Sequence, residues 1–320
     1  MRLPLAASGF AMLLAAAGLP LYIHLPRYAV TGLGLSLTTV SAVLIAIRLM
    51  DFLQDPALGW LVDRFPGARH RFALMAASGM ALGFVMLFAM PALIAPVPWL
   101  VLALVLIFTA FSLGSVLFYS QTTAIAGSAS PQDVYRLATY REVGTVAGIV
   151  LVALAPDLLV LATGGEPIMA YRLFGWGLAA AILALWAFSR PLWERTGGAV
   201  TALSMHSLIR TGAHHLLLLA FVNALPVAIT STLFLFFVED RLHLTGMAGP
   251  FIVLFFLTAG LSMPIWTLVV RRFGTRRTLV MAMSFAIAGF VGTATLAPGA
   301  ALGFAVICVA TGMALGADMV

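Results

Sequence analysis

The sequence predicts an all-α protein that crosses a membrane many times. Hydrophobic residues make up 62% of its 320 residues and charged residues only 9%, and the mean hydropathy is +1.10. No soluble domain could bury that much apolar surface. A membrane-spanning helix needs about 20 apolar residues. Ten segments meet this requirement: residues 4–25, 37–62, 72–95, 97–124, 136–162, 170–189, 214–238, 247–270, 278–297 and 300–320.

The arginines indicate how the chain lies in the membrane. All seventeen basic residues are arginine. With the N-terminus in the cytoplasm, twelve of them fall in cytoplasmic loops and only three, Arg27, Arg172 and Arg241, fall in outer loops. This asymmetry follows the positive-inside tendency. We therefore expect a multi-pass protein of the cell inner membrane with a cytoplasmic N-terminus.

The net charge of +6 is explained by this orientation next to anionic lipids. We therefore expect membrane lipids as partners and no binding of nucleic acid. Cys308 is the single cysteine, which excludes an intramolecular disulfide and a cysteine metal cluster. We expect a monomer with no cofactor apart from a coupling ion.

Two short basic loops indicate an internal repeat. They share the core R-F-(P)-G-x-R, and their phenylalanines, Phe65 and Phe273, lie 208 residues apart. This period is too long for a solenoid and fits two six-helix halves, as in major facilitator transporters. The sequence thus predicts a six-helix bundle over residues 1–190, a cytoplasmic linker over 191–213, and a second bundle over 214–320. Since ten of twelve helices are present, we expect that the second bundle is truncated.

A charged face within the second apolar segment is the strongest functional signal. The pattern R-x-x-D-x-x-x-D-P places Arg48, Asp51 and Asp55 on one side of a helix. A charge near the bilayer centre costs roughly 2.5–3.5 kcal/mol, so this face must line a water-filled cavity or bind something.

The two carboxylates lie one helical turn apart and suggest two kinds of cation coupling. They offer hard oxygen ligands for a small monovalent cation, or they share a proton. Gln54 and the hydroxyl of Thr109 could complete a coordination shell. In the alternative interpretation, Arg48 neutralises Asp51 as a buried pair and only Asp55 is active.

Residues 48–64, R-L-M-D-F-L-Q-D-P-A-L-G-W-L-V-D-R, resemble the helix-2 signature of a transporter family. This family is the glycoside-pentoside-hexuronide:cation symporters, which include melibiose permease and belong to the major facilitator superfamily. Further similar segments run along essentially the whole chain: D-x-x-R-L-A-T-Y-R-E at 133–142, N-A-L-P with L-F-L-F-F-V-E-D-R at 223–241, P-I-W with R-R-F-G-x-R-R at 264–277, and A-L-G-A-D at 314–318.

The resemblance implies the major facilitator fold and cation-coupled symport by alternating access. It implies that Asp51 and Asp55 are the acids of the cation site, with Na⁺ or H⁺ as the coupling ion and Li⁺ as a possible substitute. Gln54 stands where the family usually has Asn, and Thr109 matches a threonine placed near the cation. Arg141 matches an arginine beside the sugar site.

The sequence departs from sugar-binding members at two acids. Those members use a carboxylate on helix 1 and another on helix 4 to accept hydrogen bonds from sugar hydroxyls. Helix 1 has no acid in this sequence, and Ser112 occupies the helix-4 position. The pocket has lost its strongest hydroxyl acceptors, which argues against a galactoside such as melibiose.

Several other residues have two possible interpretations. Arg141 offers five donors to a solute, or it pairs with Glu142 or Asp51. Asn223, Tyr119 and Trp266 could line the cavity or serve only packing. At the cytoplasmic mouth we expect a gating or orientation network of three charged residues: Asp63, Arg64 and Arg69.

The predicted function is cation-coupled symport of a sugar, glycoside or related small solute. One alternative is a transporter of the same fold for a lipid-like or amphipathic solute, because a pocket poor in acids suits a less polar cargo. Another alternative is a proton-coupled exporter. We expect no enzymatic activity, since no nucleophile with its base and no metal-ligand cluster stands out in the apolar segments.

Overall fold

A computed structural model describes most of the chain. It covers residues 2–18, 20–126, 131–193, 237–244 and 246–318, with the isolated positions 215, 218, 219, 221, 222, 225 and 234. Within these residues there is no strand. The helices are α1 (Arg2–Gly18), α2 (Pro20–Thr31), α3 (Leu37–Arg64), α4 (Arg69–Phe84), α5 (Pro96–Ser120), α6 (Thr122–Ala126), α7 (Pro131–Ala162), α8 (Pro167–Ser189), α9 (Ala248–Phe273), α10 (Thr275–Thr293) and α11 (Ala301–Asp318).

The described helices confirm a polytopic all-α membrane protein. Most of the predicted segment 214–238 lies outside the described residues. Two shorter apolar helices, Leu3–Gly18 and Ala301–Ala317, accompany the long ones. Among the described residues, six stretches are long and apolar enough to cross a membrane: Leu37–Arg64, Pro66–Ala89, Pro96–Ser120, Arg136–Ala162, Pro167–Leu192 and Ala248–Phe273.

Local sequence signals determine where the long helices begin and end. The Ser36 hydroxyl accepts a hydrogen bond of 3.1 Å from the backbone N–H of Thr39 and so caps α3. This helix stops directly before Pro66, as expected because a proline disfavours helical geometry in the residue before it. Pro96 and Pro167 each occupy the first position of their helix, where the missing N–H costs nothing.

Small residues let α7 pack closely on α1. Gly144 and Gly148 lie one turn apart on α7 and face the backbone of α1. A Cβ atom at Gly148 would lie 2.6 Å from the carbonyl oxygen of Met12, and one at Gly144 would collide with the carbonyl of Ser8. Glycines at this spacing allow two membrane helices to approach until their backbones touch.

The 208-residue period of the basic loops recurs in two proline-containing helices. Pro56 in α3 and Pro264 in α9 are separated by 208 residues, the same period as the two basic loops. In each case the helix packs against the second long helix that follows it, α3 against α5 and α9 against α11. Helices α7 and α9 also touch, because Val146 on α7 contacts Gly260 on α9.

A buried histidine joins α2 to α7. The Nε2 atom of His24 lies 3.2 Å from the carbonyl oxygen of Val152. In a regular helix this carbonyl would accept the N–H of residue 156, but Pro156 has none. A carbonyl can only accept, so His24 donates and replaces the missing backbone bond. Nearby, Arg27 and Asp157 form an exposed ion pair at 3.8 Å.

Candidate cation and solute site

Three of the four predicted cation residues form a hydrogen-bonded chain between α3 and α5. Asp51 lies near the middle of α3 and is only 8% exposed. The Nε2 atom of Gln54 donates to Oδ1 of Asp51 at 2.8 Å. The hydroxyl of Thr109 on α5 donates to Oε1 of Gln54 at 3.0 Å. The Gln54 amide is therefore fixed at both ends, with its nitrogen toward the carboxylate.

Arg48 forms an ion pair with Asp51. Its Nη1 atom lies 3.7 Å from Oδ2 of Asp51, one turn along α3. The guanidinium also lies over the ring of Phe108, 5.0 Å from its centroid, at a distance typical of cation–π contacts. The Arg48 side chain is 50% exposed, so this ion pair is not the buried pair of the alternative interpretation.

Asp55 is placed differently from Asp51. It lies one turn further along the same face of α3 but is exposed, and it forms no hydrogen bond or ion pair with the residues that the structure describes. Its oxygens are therefore available to a ligand. No three His, Cys, Asp or Glu side chains come together within the described part of the chain. The ligands on offer are the carboxylate oxygens of the two acids, which suit a small cation, and the Gln54 amide and Thr109 hydroxyl lie beside them as neutral neighbours.

Arg141 and Tyr119 form a second cluster. The guanidinium of Arg141 lies over the Tyr119 ring, 4.6 Å from its centroid, and its Nη1 donates to the Thr122 hydroxyl at 3.4 Å. The Nε atom of Arg141 is buried and has no hydrogen-bond partner among the described residues. Thr122 was missed by sequence reasoning, although it follows Tyr119 by three residues and so lies beside it.

The two clusters are separate. Tyr119 follows Thr109 by ten residues on the uninterrupted helix α5, which is about 15 Å along the axis. The structure therefore places Arg141 beside Tyr119 and Thr122 and not beside Asp51. Ser112 is buried on α5, one turn from Thr109 toward Tyr119.

The remaining solute candidates have different outcomes. The indole Nε1 of Trp266 donates to the carbonyl of Met313 at 2.6 Å, and the Ser262 hydroxyl reaches the same carbonyl at 3.3 Å. Of the two interpretations of Trp266, the structure shows packing of α9 against α11. Asn223 lies outside the described residues. Glu142 follows Arg141 on α7 and interacts electrostatically with Tyr119.

The three charged residues predicted at the cytoplasmic mouth do not form direct ion pairs in the structure. Asp63 and Arg64 are exposed at the end of α3. Arg69 begins α4 and is only 4% exposed. Its Nε and Nη1 atoms have no hydrogen-bond partner within the described part of the chain. These residues lie at the end of α3 and the start of α4, on either side of the short connection between the two helices. No ion pair links them there.

Amide, hydroxyl and charged side chains that meet between apolar helices are typical of a polytopic membrane transporter. A sequence model of one family, described as MFS/sugar transport protein, matches residues 5–320. The chain belongs to this family of the major facilitator superfamily, which confirms the predicted fold and family. A comparison with curated proteins gave no match.

Proposed function

We propose that the protein is a cation-coupled symporter that carries a sugar, glycoside or related small solute across the inner membrane. The observation that carries this proposal is the chain of hydrogen bonds from Thr109 through Gln54 to the buried carboxylate of Asp51. A buried acid in a membrane span is costly. Gln54 and Thr109 hold the carboxylate of Asp51 in position, where it can take up a positive ion.

The cation binds at Asp51 and Asp55 in this proposal, with Gln54 and Thr109 as neutral partners. Asp55 contributes free oxygens, and Asp51 is already held in position by its neighbours. Arg48 partly balances the negative charge of Asp51 when no ion is bound. A bound Na⁺ or H⁺ weakens the attraction between Arg48 and this acid, because it neutralises the same carboxylate.

Coupling between ion and solute follows from the helix that the two sites share. Thr109 contacts the cation cluster, and Ser112 lies one turn further along α5 on the way to Tyr119. An ion that orders Asp51 and Gln54 also orders this stretch of α5, so it favours solute binding there. The two ligands then bind with a positive coupling free energy, which is reciprocal. The doubly loaded carrier changes its orientation by alternating access.

The experiment that tests the proposal is a thermal-shift titration of the purified protein with Na⁺, Li⁺ and K⁺ and over a pH series. A ligand that binds only the folded state stabilises it by about 2.7 kcal/mol at a concentration of one hundred times Kd. We expect stabilisation by Na⁺ or Li⁺, or by a lower pH, and its loss in Asp51→Asn and Asp55→Asn.

Asp157→Asn is the matched control, because this acid is exposed and pairs with Arg27 outside the cation cluster. It should keep the full response of the wild-type protein. If neither ion nor pH acts through Asp51 or Asp55, the charged face is structural and the symport proposal loses its basis. If only pH changes the stability, and this response needs both acids, the coupling ion is H⁺.

A further inference from the structure

We propose that a site at the start of α4 and the end of α8 binds the phosphate group of an anionic membrane lipid. The site consists of His70, Trp186 and Arg190, and its ligand is a phospholipid with a net negative headgroup, such as phosphatidylglycerol. The arginine asymmetry of the sequence predicts that these ends of the two helices face the cytoplasm. The site is separate from the proposed cation site and does not depend on it.

The three side chains meet around the indole ring of Trp186. Helix α4 packs against α8. His70 is the second residue of α4, and its ring centroid lies 5.8 Å from that of Trp186. Arg190 begins the turn that follows α8, and its guanidinium carbon lies over the Trp186 ring, 5.9 Å from the centroid. The ring positions the guanidinium by a cation–π contact, which leaves the N–H donors of Arg190 to a ligand.

The protein itself uses little of the bonding capacity of this site. Arg190 is exposed, and it forms no ion pair with the residues that the structure describes. The Nε1 atom of Trp186 is buried and has no hydrogen-bond partner in the same part of the chain. A phosphate group presents acceptor oxygens only, and it matches the two parallel N–H donors of a guanidinium.

The charges at this end of the helices favour an anion. Residues 63–71 and 186–193 contain four arginines and a single acid, Asp63. This acid interacts electrostatically with Arg69, and neither α4 nor α8 contains an Asp or Glu. Basic sites between membrane helices on the cytoplasmic side are suited to anionic lipid headgroups. A zwitterionic lipid brings its own positive charge and is a poorer match.

Exposed apolar side chains adjoin the site along both helices. Leu74 lies one turn after His70 on α4, and Leu183 lies one turn before Trp186 on α8. Their exposed fractions are 38% and 41%. Residues three or four apart share a helix face, so the two leucines extend the faces that carry His70 and Trp186. A lipid has its phosphate next to its acyl chains and fits this arrangement, whereas a free phosphate uses only the basic part.

The test is native mass spectrometry of the full chain in detergent, titrated with phosphatidylglycerol or with phosphatidylcholine of the same acyl chains. We expect the first phosphatidylglycerol to bind about fivefold more tightly, or better, because one arginine near an anionic lipid contributes about that factor. Arg190→Gln should remove most of this preference. Trp186→Leu should also reduce it, since the charge stays but the ring that positions it is lost.

Arg172→Gln is the matched control, because Arg172 is an exposed arginine near the opposite end of α8, and it should keep the wild-type preference. Equal binding of the two lipids, or a preference that survives Arg190→Gln, would overturn the proposal. An unchanged preference in Trp186→Leu, or an equal loss in Arg172→Gln, would show diffuse attraction in place of a built site. Thermal stabilisation by glycerol 3-phosphate alone that is lost in Arg190→Gln would also refute it, because the ligand would then be a soluble phosphate.

The distance from the cation cluster separates this proposal from the proposed function. Asp51 precedes Arg64, the last residue of α3, by thirteen positions, which is about 20 Å along the axis. Arg190→Gln should therefore keep the wild-type response to Na⁺ and pH. Asp51→Asn should likewise keep the lipid preference, so either proposal can fail while the other stands.

Discussion

The hydrogen bond from Thr109 to Gln54 allows a quantitative test of how the cation cluster is organised. Thr109→Val keeps the shape of the side chain and removes the hydroxyl that donates at 3.0 Å to Oε1 of Gln54. The amide of Gln54 then has no anchor on α5. Its 2.8 Å bond to Asp51 no longer holds the carboxylate in one position relative to that helix.

The size of the effect follows from the bond that is lost. A hydrogen bond of this kind contributes about 0.5–1.5 kcal/mol net. Since 1.4 kcal/mol corresponds to a tenfold change in affinity, the Kd for Na⁺ should rise about two- to twelvefold. This loss is partial, unlike that of Asp51→Asn, because Thr109 acts through Gln54 and the acids remain.

The assay is an isothermal titration of Na⁺ into wild type, Thr109→Val, Gln54→Leu and the double variant. Because Thr109 acts through Gln54, the double variant should bind no more weakly than Gln54→Leu alone. Thr267→Val is the control, since its hydroxyl bonds only to its own helix at the carbonyl of Met263. Additive losses, or an unchanged Kd in Thr109→Val, would refute the chain of contacts.

Two further predictions concern stability. Gly148→Val should separate α1 from α7, because a Cβ there lies 2.6 Å from the Met12 carbonyl oxygen. Its melting temperature should fall by several degrees, while Gly177→Val, with open space around it, should change little; equal shifts contradict the packing argument. His24→Phe keeps a ring but leaves the Val152 carbonyl without a donor, at a cost of about 1–3 kcal/mol in denaturant unfolding. Unchanged stability would show that this bond contributes nothing.

The fold could be predicted largely from hydropathy, because a membrane span needs an apolar run of a fixed length. The charged face of α3 could also be predicted, since spacings of three and four determine which residues share one side of a helix. The proximity of Thr109 to Gln54 was different. It was expected from their shared chemistry and supported by the resemblance to a family, because periodicity says nothing about which helices are neighbours.

The contacts that sequence reasoning did not find have the same physical origin. Spacing within a helix could not show that Arg141 meets Tyr119 rather than Asp51, since this depends on how far α5 and α7 slide past each other. Nor could it show that the N–H of Trp266 is used by a backbone carbonyl. The role of His24 was missed, although Pro156 gave a signal: a proline frees the carbonyl four residues before it.

The repeat suggests why the proposed ion site belongs to one half of the protein. Pro56 and Pro264 are equivalent by their separation of 208 residues. Applying this period to the cation site pairs its polar residues with apolar or backbone-bonded ones in the other half: Asp51 with Ala259, Gln54 with Ser262, and Asp55 with Met263.

Ion binding in the proposed mechanism therefore acts on the first half alone, and its effect must reach the second half through contacts between them. One such contact in the described structure is that of Val146 on α7 with Gly260 on α9, one turn before Pro264. A proline weakens its helix where the backbone bond is missing. A movement of α7 at this contact is thus transmitted to the part of α9 that bends most easily.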